Sequence, residues 1–209
     1  MKRNSLIFAA VLLLFAGGAV AAENYEDVFA SFDYPESWSI YIDSEAADFL
    51  GMNMMYYPEG TRIIVLLPED VPIDESTAGD LELFKKGFIM MTTQANPEWK
   101  DQQDQEGNWY DPIMAEIESG EDDGVEILEK REINTEDQSG IFVTAVGEDQ
   151  MYQESGEAVT LKIKIHLGML AGGANMFSLS GTVDMDTERS RIDSIDTAVS
   201  MIMDSLILY

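Results

Sequence analysis

The chain has few residues of the kinds that carry out acid–base or nucleophilic chemistry. Its one histidine is His166, and it has no cysteine. His166 follows Lys162 and Lys164 at a spacing of two, which predicts the polar face of a strand. No G-x-S-x-G motif supplies a nucleophile for it to activate. We therefore predict that His166 is a surface or edge residue and that the protein is not an enzyme.

Acidic side chains are the most plentiful potential metal ligands, and segment 98–123 is rich in them. The most closely spaced are Asp101, Asp104, Glu106 and Asp111. Ca²⁺ takes about six to eight oxygen ligands, but Gly107 at the glycine position of an EF-hand loop would put Ile113 where the bidentate glutamate belongs. A solvated loop is the favoured interpretation and a Ca²⁺ site is the alternative. No other cofactor is predicted.

The same segment interleaves aromatic residues with the acids. Aromatic side chains dominate the energetics of many protein interfaces. The predicted partner-binding residues are Trp99, Asp101, Asp104, Glu106, Trp109, Tyr110 and Asp111. The alternative is that Trp109 and Tyr110 pin the loop back onto the domain, and the sequence favours neither interpretation.

The overall charge is strongly acidic, with 12 Lys and Arg residues against 40 Asp and Glu residues. Such a surface repels nucleic acid and anionic lipid and attracts cations and basic proteins. Solubility, including solubility in a salty habitat, is the first explanation of this charge. A face for a basic protein partner or for Ca²⁺ is the second. A nucleic-acid-binding function is excluded.

The N-terminus has the pattern of a signal peptide. Lys2 and Arg3 precede an apolar run at 6–15, and small residues at 19–21 suit cleavage, which we place after Ala22. The run is short for a membrane span, which needs about 20 residues, and the absence of cysteine excludes a cysteine-linked lipid. We predict a periplasmic or secreted protein without stable membrane insertion, divided into a signal peptide (1–22) and a single domain (23–209).

The periodicity of apolar residues predicts the elements that must position these groups. Strands are predicted at 28–34, 38–42, 52–57, 62–67, 125–133, 141–146, 159–167 and 176–183. Helices are predicted at 44–50, 76–93 and 187–206, with a helical turn at 113–117 and a flexible connection at 168–174. Strands, a helix, more strands and a long amphipathic helix predict an α+β fold, with an antiparallel sheet sandwiched between helices.

One segment resembles the opening strand-turn-strand of the PsbP-like superfamily: Phe32-Asp33-Tyr34-Pro35-Glu36-Ser37-Trp38-Ser39-Ile40. The order of the later elements agrees over about 23–209. In physical terms Pro35 fixes the turn and Trp38 anchors the core. The resemblance implies an α/β/α sandwich and, since most members act by binding, a binding role. It transfers no functional residue.

Together these features predict an exported, non-enzymatic binding protein of the cell envelope that acts on a protein partner through its acidic surface. Members of the resembled family also include immunity proteins. A first alternative is therefore an immunity protein that neutralises a basic secreted toxin. A second alternative is a Ca²⁺-dependent envelope factor.

Overall fold

The computed structural model describes residues 20–49, 60–71, 81–96, 110–119, 124–152 and 157–209. These residues contain the following elements in chain order: β1 (Ala22–Glu26), β2 (Ala30–Pro35), β3 (Trp38–Ile42), α1 (Ser44–Phe49), β4 (Arg62–Pro68), α2 (Leu81–Lys86), β5 (Phe88–Ala95), α3 (Asp111–Ser119), β6 (Glu126–Asn134), β7 (Gln138–Tyr152), β8 (Ala158–Gly172), β9 (Asn175–Asp184), α4 (Arg189–Ser205) and β10 (Ile207–Leu208).

The described strands form two sheets. Seven strands form a large sheet in the order β3-β4-β5-β9-β8-β7-β6, and three form a small sheet in the order β1-β2-β10. All of the described pairings are antiparallel. The predicted α+β class with an antiparallel sheet between helices is confirmed. The small sheet is not predicted, because β1 is short and mostly exposed and β10 has two residues.

One face of the large sheet, here called the inner face, packs against α4 and the small sheet. Helix α4 presents a stripe of apolar residues at a spacing of three and four: Ile192, Ile195, Val199 and Ile202, all buried. From the small sheet, Phe32 reaches the ring of Phe177 on β9, with 6.4 Å between ring centroids. Trp38 is buried in the same cluster, as predicted for the core anchor.

The opposite face, here called the outer face, packs against α1, α2 and α3. Strand β4 shows why both faces need cover, since its apolar residues are continuous. Ile64 and Leu66 join the inner cluster. Ile63, Val65 and Leu67 join an outer cluster with residues of α1 and α2. A strand that is apolar on both faces therefore fixes the three-layer arrangement.

The predicted helix at 76–93 is wrong over its second half. Within the described residues, helix α2 ends at Lys86, and Phe88–Ala95 is strand β5, which pairs with β4 and β9. Gly87 separates the two with a φ of +77°, a conformation that suits glycine. The apolar run after Gly87 fits a helix or a strand equally well, and pairing with two neighbouring strands decides for the strand.

The predicted flexible connection at 168–174 is also wrong. Residues up to Gly172 belong to β8 and pair with both β7 and β9, so the turn is confined to Gly173 and Ala174. Gly168 is a packing glycine, because a Cβ there would lie 3.1 Å from the sulfur of Met203 on α4. The glycines of this segment thus allow close packing rather than flexibility.

The other predicted strands within the described residues are present with boundaries shifted by a few residues. The short helix predicted from residue 44 is α1, and the helical turn at 113–117 is part of α3. The predicted strand at 52–57 and residues 1–19 lie outside the described residues. The signal peptide and the single-domain division stay predictions.

Candidate functional site

A groove lies on the outer face, and four neighbouring strands (β7, β8, β9 and β5) form its floor. Strand pairing aligns their outward-facing residues in two rows. One row contains Val143, Leu167, Ser180 and Met90, and the next contains Ile141, Met169, Ser178 and Thr92. Because β9 contributes only serines to these rows, the floor is low where the rows cross β9.

Helix α3 forms one wall of the groove. Its buried Met114 and the preceding Tyr110 pack on Ile141 and Val143. A different side of the helix, with residues spaced at three and four, faces the groove and consists of Ile113, Glu116 and Ile117. Among the described residues, the helix therefore covers β7, its cluster reaches Met169 on β8, and β9 is left open.

The cover provided by α1 and α2 ends on the other side of the groove. These helices bury the outward residues of β4, and Met90 on β5 lies at the edge of their cluster. The outer face thus carries two separate covered regions with the groove between them. Its volume is about 390 Å³, within the range of about 300–1,000 Å³ usual for binding sites.

Apolar atoms dominate the groove surface, and its large side chains are half-buried rather than covered. Met90, Leu167 and Met169 all keep part of their surface in the groove. Methionine side chains adapt their shape to different partners, which suits a binding surface. The groove is therefore a candidate binding site.

Four polar groups lie in or beside this apolar surface. The hydroxyls of Ser178 and Thr92 hydrogen-bond each other at 2.7 Å. The hydroxyl of Ser180 and the carboxylate of Glu116 have no hydrogen-bond or ion-pair partner among the described residues. The groove therefore offers one hydroxyl and one carboxylate to a ligand.

An exposed salt bridge joins α3 to β6. Lys130 on β6 donates a hydrogen bond to Glu118 at 2.8 Å, and Glu118 is in the last turn of α3. At the start of the helix, burial and the nearby carboxylates of Glu132 and Asp111 raise the pKa of Tyr110. The wall thus contacts the sheet through buried Tyr110 at its start and through the exposed Lys130–Glu118 pair at its end.

Under α4, on the inner face, a hydrogen-bonded network joins three elements. His166 Nδ1 lies 2.9 Å from Thr144 Oγ1, and His166 Nε2 lies 2.9 Å from Asp196 Oδ1 on α4. Lys164 donates to both oxygens of Asp196 at 2.7 Å. Burial would raise the pKa of Asp196, but hydrogen bonds from His166 and Lys164 outweigh it and lower that pKa.

The network overturns the prediction that His166 is a surface or edge residue, since His166 is only 5% exposed. The polar face of β8, which carries Lys164 and His166, is the face that α4 covers. Asp196 on α4 is the hydrogen-bond partner that makes the burial of His166 favourable. Thr144 is also buried, and the groove lies on the opposite face. The arrangement therefore anchors α4 and has no accessible nucleophile.

The seven predicted partner-binding residues are only partly described. Tyr110 is 2% exposed and packs beneath α3, while Asp111 is exposed at the first position of that helix. The other five lie outside the described residues: Trp99, Asp101, Asp104, Glu106 and Trp109. The groove begins beside Tyr110 and Asp111, but none of its lining residues was predicted. Strand register and the packing of α3 on the sheet bring them together.

Metal binding and membrane spanning were each assessed for the described part of the chain. There, no three His, Asp or Glu side chains come together in a way that could hold a metal ion. Most of the acids proposed for Ca²⁺ lie elsewhere, so the Ca²⁺ alternative stays a prediction. The helices of this part are all too short or too polar to cross a bilayer.

Comparison with known proteins bears on the fold. No protein-family model matches the chain, and no curated protein is significantly similar to it. Among solved structures, it is similar to cyanobacterial PsbP from Synechocystis, with 12% identity, a TM-score of 0.46 and coverage of 93% of this chain and 96% of that one. A protein of the family that the sequence resembles is thus among the solved structures similar to the chain.

Two further solved structures resemble the chain. The Ran-binding protein Mog1p of Saccharomyces cerevisiae has 8% identity and a TM-score of 0.48, with coverage of 91% of this chain and 96% of that one. A Bacteroides thetaiotaomicron protein has 15% identity and a TM-score of 0.41. The match covers 90% of this chain but only 48% of the Bacteroides protein. We infer the partner from the groove of this chain alone.

Proposed function

We propose that this chain is an exported, non-enzymatic binding protein of the cell envelope, and that it binds a basic protein partner across α3 and the groove beside it. The observation that carries the proposal is the open apolar groove of about 390 Å³ on a chain with 40 acidic and 12 basic residues. Apolar contact would supply affinity, and the acidic surface would steer a basic partner.

The distribution of reactive groups supports a binding role over catalysis. The single histidine is buried on the inner face and engaged by Thr144 and Asp196. The residues that line the groove are apolar or hydroxyl-bearing, apart from Glu116. A general acid–base pair needs two titratable groups within reach of one substrate, and the described residues of the groove lining include one.

Site-specific photo-crosslinking in cells tests this function. A photoreactive benzophenone side chain replaces Ile113 in the groove wall, and the matched control carries it at Ser200, an exposed position of α4. We expect a protein adduct from position 113 and none from position 200. We expect Leu167→Arg to abolish the adduct, because the added positive charge in the groove floor would repel a basic partner.

Two outcomes would overturn the proposal: no protein adduct from position 113, or the same adduct from both positions. The export component has its own measurement, which is the intact mass and cell fraction of the chain. We expect a form that lacks 1–22 in the periplasm or the medium. A full-length cytoplasmic form would refute export.

A further inference from the structure

The two glutamates of α3 near its end differ in their electrostatic environment. Glu118 is neutralised by Lys130 at 2.8 Å. Glu116 lies on the groove side of the helix, and no described cation approaches it. One carboxylate on the rim of an apolar groove is thus left without a counter-charge.

The groove floor has a similar asymmetry between its two serines. Ser178 exchanges a hydrogen bond with Thr92 at 2.7 Å, whereas Ser180, one pleat along β9, has no described partner for its hydroxyl. A half-buried polar group without a partner gains most from a ligand that supplies one. Two polar groups of the groove therefore have no described partner: the Ser180 hydroxyl in its floor and the Glu116 carboxylate on its rim.

The dimensions of the groove limit what can enter. It crosses four strands, which at about 4.8 Å between neighbours makes a width of about 14 Å. That width suits a few large side chains from one peptide segment rather than a whole domain surface. Met90 and Met169 at its sides can adjust to the shape of those side chains.

We infer that the groove recognises a basic amphipathic peptide segment of the partner. Its apolar side chains would pack on Leu167 and Met169, an arginine or lysine would pair with Glu116, and a polar group would hydrogen-bond Ser180. The inference rests on the proposed function, since it takes the groove as the partner site. Charge complementarity selects the basic segment: the free rim charge is negative, as is the net charge of the chain.

The test uses labelled peptides and fluorescence anisotropy with the full chain. The probe is a helix-forming peptide of leucine and arginine, and matched peptides carry glutamate or glutamine in place of arginine. We expect the arginine peptide to bind, with an affinity that falls as salt rises from about 0.05 to about 0.5 M, because salt screens charge pairs. We expect the glutamate peptide not to bind.

Two variants locate the charge contact. Glu116→Gln should weaken binding of the arginine peptide about three- to tenfold. The control, Glu129→Gln on β6, makes the same change in net charge. In the strand register Glu129 lies opposite Thr144, so it is on the inner face, away from the groove. This variant should leave the affinity for the arginine peptide unchanged. Thermal unfolding of both variants should match that of the unchanged protein, because both side chains are exposed.

The outcomes separate this inference from the proposed function. Two results would overturn the inference of a basic segment and leave the groove as a binding site. One is equal affinity of the Glu116→Gln and Glu129→Gln variants for the arginine peptide. The other is binding of the glutamine peptide as tight as that of the arginine peptide. Failure of the arginine peptide to bind, while position 113 still crosslinks to a partner, would overturn the inference alone. Loss of the crosslink would overturn both.

Discussion

The two faces of the large sheet use the same strands in different ways. On the inner face, β9 presents Phe177 and Leu179 to a continuous core under α4. On the outer face, the alternate residues Ser178 and Ser180 form a groove floor that no described side chain covers. Because side chains alternate along a strand, one strand can serve as core on one side and as a binding surface on the other. Stability and recognition can then be changed separately.

The largest expected effect comes from removing a side chain of the inner face. Phe177→Ala deletes a fully buried ring that contacts Phe32, and should lower the free energy of unfolding by about 3–5 kcal/mol. Leu167→Ala on the outer face removes a half-buried side chain and should cost about 1 kcal/mol. Urea denaturation measures both. Equal losses would show that the outer face is as well packed as the inner face.

A smaller effect is expected from adjacent residues of β9 that point to opposite faces. Gly181→Ala would place a Cβ 2.8 Å from Val199 Cγ2 on α4. Since Val199 is buried and branched, we expect a loss of about 1–3 kcal/mol by overpacking. Ser180→Ala faces the groove and should change stability by no more than about 0.5 kcal/mol. A stable Gly181→Ala variant would mean that α4 can move away from the sheet freely.

The smallest expected effect is a dependence on pH that belongs to the inner face alone. The folded protein lowers the pKa of Asp196 below its ordinary value of 3.8. The ionised carboxylate therefore contributes its full stabilisation at pH values above this ordinary pKa. The stabilisation is lost as the pH falls through the pKa of the folded state. Asp196→Asn should therefore flatten the acid side of a plot of Tm against pH. The effect is small because 34% of the Asp196 side chain is exposed and solvent screens it.

Asp193→Asn provides the control for this measurement on the same helix. Asp193 forms an exposed pair with Arg189 at 2.9 Å, and its substitution should keep the original slope. If both variants lost the same slope, the pH dependence would come from the general charge of α4 and not from the buried network.

The sequence predicts much of the fold, and its errors have a common cause. Alternation along β8 correctly separates Leu167 from Lys164 and His166, but the sequence does not show which face a helix will cover. Asp196, which makes burial of His166 favourable, is 30 positions away. The helix predicted through 76–93 fails for the same reason, since β4 and β9 turn the residues after Gly87 into a strand.

The candidate site is less predictable than the fold. Its lining comes from five elements, and its floor depends on strand register. Thr92 and Ser178, which hydrogen-bond each other, are 86 positions apart. No motif marks such residues individually, because methionine, leucine and serine are common in any domain. The predicted acidic segment (98–123) includes helix α3, and three residues of that helix line the groove: Ile113, Glu116 and Ile117. This overlap is the nearest that composition comes to the site.

The small sheet has a consequence for how the chain completes its fold. Strand β10 pairs with β2 through Ile207 and Leu208, and Ser205 accepts a hydrogen bond from the amide of Asp33, 172 positions earlier. Contacts of such long range form late, because a long loop must close first. A chain that emerges N-terminus first would keep one hydrogen-bonding edge of β2 unpaired until β10 is released. During that interval, a chaperone or a protease could reach it.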